Sequence, residues 1–134
     1  MLTLMIGKGL LRENIQGYSE EQALEKESFH RDGKRFLKSL ATALGLSSKA
    51  YDLRSNKAGP AVSGEVTLHA DRLYVQLGEF STRPGISILY RSCKDRKDYS
   101  GGQNNYTSCA ALKDSGVQQR FIEHCTKLMG QDAG

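Results

Sequence analysis

Between Ile88 and Tyr106 the chain reads ILYRSCKDRKDYSGGQNNY, and the residue types best suited to contacting a ligand gather there. Arg91, Lys94, Arg96 and Lys97 could pair with phosphates or with an acidic surface. Tyr99 and Tyr106 could stack or hydrogen-bond, and Gln103, Asn104 and Asn105 add donors and acceptors. Gly101-Gly102 would let backbone N–H groups approach an anion closely. Asp95 and Asp98 cancel half of that positive charge. The Gly-Gly pair also lacks the G-x-x-x-x-G-K-[ST] context of a phosphate loop. The expectation is a binding surface made of Arg91, Lys94, Arg96, Lys97, Tyr99, Asn104, Asn105 and Tyr106, set against the alternative of a solvated loop.

Acid–base chemistry has one candidate, His69 with Asp71 and Glu65. Reading a reversal at Ala70-Asp71 puts His69 and Glu65 on an exposed face where nothing desolvates them, so strongly shifted pKa values are not expected. Thiol chemistry has a weaker one. Cys125 falls on an apolar helical stripe as a small hydrophobe, and His124 is turned about 100° away from it. Cys93, beside the basic run, is the one thiol whose pKa neighbouring Arg and Lys would lower. With Cys109 these are three cysteines and no C-x-x-C pair, which points to reduced thiols, no metal and no cofactor.

The elements that must position these residues read clearly. Over YSEEQALEKESFHRDGKRFLKSLATALGL, Ser19 is an N-cap with Gln22 at the capping-box spacing. Phe29, Gly33, Phe36, Leu37, Leu40 and Leu44 share a stripe while Arg31, Arg35 and Lys38 face away. Gly45 stops the helix, and Gly33 marks either a break or a close approach to a sheet. The period changes over GEVTLHADRLYVQLGE. A hairpin turning at Ala70-Asp71 pairs Leu68 with Leu73 and Val66 with Val75 on one face, Thr67 with Tyr74 and Glu65 with Gln76 on the other. Pro84-Gly85 supplies a type II turn into a strand whose Ile86, Ile88 and Tyr90 face inward and Arg91 outward. Tyr51 to Asn56 reads as a further strand before the turn-rich NKAGPAVSG. A second helix follows over DSGVQQRFIEHCTKLMG, capped by Ser115, with Val117, Phe121, Ile122, Cys125, Leu128 and Met129 on one face.

The expected fold is therefore α+β: an antiparallel sheet of about four strands with an N-terminal and a C-terminal helix on one face. Its polar face, with Thr67, Tyr74 and Gln76, is left to solvent or to a partner. At 134 residues with a 38% hydrophobic share, the chain is one domain able to bury a core, with residues 1–17 as an extension or extra strand. The net charge of +4 permits nucleic acid without demanding it. Residues 1–33 carry a net −2 and residues 34–60 a net +5, an order that suits the dipole of the first helix. The apolar start MLTLMIGKGLL is too short to span a bilayer and lacks the features of a secretory signal, so a cytoplasmic protein without membrane contact is expected.

The segments YDLRSNKAGPAVSGEVTLHADRLYVQL and ILYRSCKDRKDYSGGQNN resemble small phage and mobile-element accessory proteins of bacteria, over about residues 36–105. The resemblance brings no catalytic signature with it. It implies a non-enzymatic, inhibitor-like anti-defence factor that docks on a host protein or nucleoprotein complex. The alternative is a nucleic-acid-binding protein, or a small nucleic-acid-processing enzyme using His69 and nearby carboxylates.

Overall fold

Ser19 opens the first helix as its sequence requires: its Oγ accepts a hydrogen bond from the Gln22 amide, and two glutamates fill the first turn. In the computed structural model, which describes residues 4–11, 19–58, 64–80 and 85–130, this helix (α1, Glu20–Ala43) is unbroken. Gly33 is the close approach to the sheet. A Cβ built there would stand 3.0 Å from Val66 Cγ2 and 3.3 Å from Leu77 Cδ1. Gly45, at φ +74°, ends the helix.

Five strands follow: β1 (Tyr51–Asn56), β2 (Glu65–Ala70), β3 (Leu73–Glu79), β4 (Ile86–Ser92) and β5 (Asn105–Ser108). Each pairs antiparallel with the next, in the order β1-β2-β3-β4-β5. The sheet thus has one strand more than the sequence analysis expects. The closing helix is α2 (Ser115–Met129). Its cap is Asp114, whose carboxylate accepts from the Val117 amide at 2.9 Å, and not Ser115. Gln118, at the capping-box spacing from Ser115, takes no part in a cap: it is buried, accepting from the Leu4 amide and donating to the Leu112 carbonyl.

The β2–β3 register also differs. Leu68 lies opposite Val75, Val66 opposite Leu77, Thr67 opposite Gln76 and His69 opposite Tyr74, so Asp71-Arg72 form the turn rather than Ala70-Asp71. Sliding a turn by one residue moves each partner by two, and a side-chain period of two leaves every residue on its expected face. Val66, Leu68, Leu73, Val75 and Leu77 are all fully buried on the inner face with Phe29, Phe36, Leu37 and Leu40 of α1. From α2, Phe121 meets Tyr90 edge-on at 4.9 Å, and Cys125 lies in the same core.

Within the 1–17 stretch, residues 4–11 form no strand. Leu4 and Leu10 join the core around a short 3₁₀ turn, Lys8–Leu10, and the Gly9 amide donates to the buried Asp32 carboxylate at 2.8 Å. Pro84 of the expected type II turn, and residues 59–63 of NKAGPAVSG, lie outside the described residues. Gly85 does adopt positive φ, +68°. Among the described residues no helix is long and apolar enough to cross a membrane.

Candidate functional site: a loop folded over the outer sheet face

The outer face of the sheet is not left bare. After β4 the chain doubles back across it, and short polar links pin the loop of residues 93–104 at many points. Asp98 holds the loop to itself: it accepts from the amides of Gly101 (2.9 Å), Lys94 (2.9 Å) and Ser100 (3.1 Å) and from the Ser100 hydroxyl. Those backbone donors, Gly101 first, hold its carboxyl well below the usual carboxylate range. Asp95 accepts from the Lys97 amide at 2.7 Å. The two acids that dilute the basic run are therefore also the bonds that shape it.

Arg96 fastens the loop to the sheet edge. Its Nε donates to Asp71 at 3.1 Å, Nη1 lies 3.5 Å from Asp52, and Nη2 donates to the Lys49 carbonyl. This cation is spent on the fold. Lys94 and Lys97 are exposed, and Tyr99 has 63% of its surface open to solvent.

Arg91 corrects the expectation most sharply. It leaves β4 on the outer face, yet the loop closes over it and only 4% of it is exposed. Its guanidinium sits 4.5 Å from the centroid of the Tyr74 ring, a cation–π contact. Its Nη1 is buried with no hydrogen-bond partner among the described residues. Gly101 and Gly102 explain how this fits. Gly101 is at φ +41°, and a Cβ on it would collide with the Arg91 guanidinium and the Ser92 carbonyl. The Gly102 amide donates to that same carbonyl at 2.9 Å. The glycine pair serves close packing over Arg91 and Ser92.

His69 is likewise covered, against the expectation of an exposed histidine. It is 6% exposed, and its imidazole meets the rings of Tyr99 and Tyr74 edge-on, each with centroids 5.1 Å apart. Nε2–H donates to the Asp95 carbonyl at 3.0 Å, which leaves Nδ1 as the acceptor nitrogen. Loss of water lowers its pKa below 6.5; the Asp95 carbonyl opposes that shift and Arg91 adds to it. The carboxylates considered with it are engaged elsewhere. Asp71 holds Arg96, and Glu65 accepts from Gln76 Nε2 at 2.8 Å, whose Oε1 in turn accepts from the Tyr74 hydroxyl. Among the described residues no three His, Cys, Asp or Glu side chains converge as a metal site would need.

The thiols are all buried. Cys93 is buried and lies 3.4 Å from the Ala70 carbonyl; burial pushes its thiol up to about 11, overriding the nearby Arg91. Burial pushes Cys109 and Cys125 to about 12. His124 turns from Cys125 to the Tyr90 hydroxyl, 3.0 Å away.

Two depressions result, with Tyr99 on the wall of both. One, about 150 Å³, is lined by His69, Thr67, Asp52, Arg54 and Arg96. The other, about 290 Å³, is lined by Gln76, Leu89, Arg91 and Asn104. Asn105 and Tyr106 belong to β5. Asn105 ties it to the Tyr90 carbonyl, and Tyr106 meets Phe80 edge-on at 5.7 Å. Arg54 is the cleft residue that the sequence analysis passes over. The signal for it is the strict in–out alternation of β1, which puts Asp52, Arg54 and Asn56 on the outer side. Comparison with models of protein families, with curated proteins and with solved structures finds no match in any of the three.

Proposed function

We propose that the protein is a non-enzymatic binding protein that docks on a host protein or nucleoprotein complex through the loop of residues 93–104. This is the role expected of an inhibitor-like phage or mobile-element accessory factor. The observation that carries the reading is the division of labour inside the loop. Asp95, Asp98 and Arg96 are consumed in holding it and Arg91 is buried beneath it, while Lys94, Lys97 and Tyr99 are displayed from it. A loop fixed before contact loses little entropy on binding. An exposed tyrosine flanked by lysines is the kind of anchor that interfaces use.

The test is affinity capture with tagged protein from its native host, followed by binding kinetics on the partner recovered. Tyr99→Ala should raise the dissociation rate about tenfold or more, as loss of an interface anchor does. Lys94→Glu with Lys97→Glu should mainly slow association. Arg96 is left intact because its removal would loosen the loop itself. A partner bound equally well by all three proteins would refute the reading.

A further inference from the structure

A second concentration of charge lies on the solvent side of α1. Arg31, Lys34, Arg35 and Lys38 recur at i, i+3, i+4 and i+7, so they share one helical face, opposite the stripe that packs on the sheet. Lys57 joins them from just beyond the end of β1. The bond between His30 Nδ1 and Ser55 Oγ, 2.7 Å, holds that strand end against the helix. Together these groups line a depression of about 480 Å³ whose rim, among the described residues, carries one carboxylate, Glu27. Five cations against one acid leave a surplus of four, equal to the whole chain's formal net charge of +4.

The charge order along the chain has the sign that the dipole of α1 favours, but the dipole does not account for these positions. The dipole rewards cations in the last turn, and the last turn of α1 holds none. Arg31 with Arg35, and Lys34 with Lys38, are like-charge pairs at i, i+4, an arrangement that weakens a helix. Of these cations, only Arg31 has a carboxylate within ion-pair distance among the described residues, and that carboxylate, Asp32, is also bonded to the Gly9 amide.

We propose that this face binds the phosphate backbone of a nucleic-acid duplex without reading its sequence. Arg31 to Lys38 span about 10 Å of helix. A duplex carries about six phosphate charges over that length, counting both strands, and the four cations of α1 with Lys57 face such a charge density with one of opposite sign. Among the described residues no aromatic ring other than the buried His30 lines the depression, which gives no stacking platform of the kind single strands use. Lysine and arginine alone position a backbone and carry no base specificity. The surface lies across the sheet from the 93–104 loop, so it does not depend on the docking reading.

The experiment is fluorescence anisotropy with labelled duplexes of unrelated sequence, one set DNA and one RNA, from about 50 to about 200 mM salt. Unrelated sequences should bind alike, and log K on duplex DNA should fall with log salt at a slope of about −4.5 for five contacts. Lys34→Gln with Lys38→Gln, at exposed positions, should shrink that slope by about 1.8 and weaken low-salt binding about tenfold. Lys94→Gln with Lys97→Gln should change neither. Binding by one duplex set or by both supports the surface and identifies the backbone it takes. Failure of both sets at the lowest salt overturns the proposal. So does a salt slope that Lys34→Gln with Lys38→Gln leaves unchanged, or tighter binding to an acidic polypeptide than to either duplex.

Discussion

The ring of Tyr99 stands edge-on to the imidazole of His69, with centroids 5.1 Å apart, although the two lie thirty positions apart in the chain. That contact turns an outward-facing strand histidine into a dehydrated one, and it makes His69 a reporter on whether the loop is closed.

Tyr99→Ala should rehydrate His69 and move its titration back up toward 6.5. NMR of the imidazole protons reads this directly. The sign for stability follows. With a folded pKa lowered below 6.5, the unfolded chain binds the proton first as pH falls, so stability is full above 6.5 and declines below it. Denaturation midpoints measured from pH about 8 to about 5 should decline less in Tyr99→Ala than in the native chain. An imidazole titration unmoved by the substitution would show that Tyr99 does not cover His69.

Gly33→Ala should not deliver the roughly 1 kcal/mol that replacing a mid-helix glycine usually gains. The added methyl would press on Val66 Cγ2 and Leu77 Cδ1. Chemical denaturation should place it near neutral, while Gly33→Leu costs about 1–3 kcal/mol through overpacking. In a Val66→Ala background the alanine should become favourable, a coupling that a double-mutant cycle measures.

Gly101→Ala combines left-handed strain, about 1–2 kcal/mol, with a collision against Arg91. The loop should lift, and His69 should again titrate closer to 6.5. Gly45→Ala is the control: φ is +74° with nothing within 4 Å, so it should show the strain alone and leave His69 untouched.

All three thiols are buried, with Cys93 pushed up to about 11 and Cys109 and Cys125 to about 12, so almost no thiolate exists near neutral pH. A chromogenic disulfide reagent should find no fast-reacting cysteine in the native protein and three equivalents after unfolding. A rapidly labelled Cys93 would contradict its burial.

What was legible in the sequence was periodic. The stripe from Phe29 to Leu40 and the alternations of β2, β3 and β4 reveal their faces because a buried face demands a repeat. β5 escaped because Asn-Tyr-Thr-Ser has no apolar alternation; pairing with β4 makes it a strand. The hairpin's faces were readable but its register was not, since Asp71-Arg72 carries no special turn chemistry. The site was least legible. Arg91 reads as an outward cation and Cys93 as a reactive thiol because both are judged by their neighbours in sequence. Their true surroundings are set by Arg96 reaching Asp71 and Lys49, 25 and 47 positions away.

The strand order β1-β2-β3-β4-β5 has a kinetic consequence. Each ladder joins strands adjacent in the chain, so no pairing waits for a distant segment to diffuse back, and loop-closure entropy is met in small instalments. The sheet can grow from the two-residue Asp71-Arg72 turn outward. The loop over the outer face comes last, because Arg96 needs β1 and the β2–β3 turn already in place before it has anything to grip. Refolding should therefore bury the core before the loop covers His69, with residues 93–104 closing on a finished scaffold.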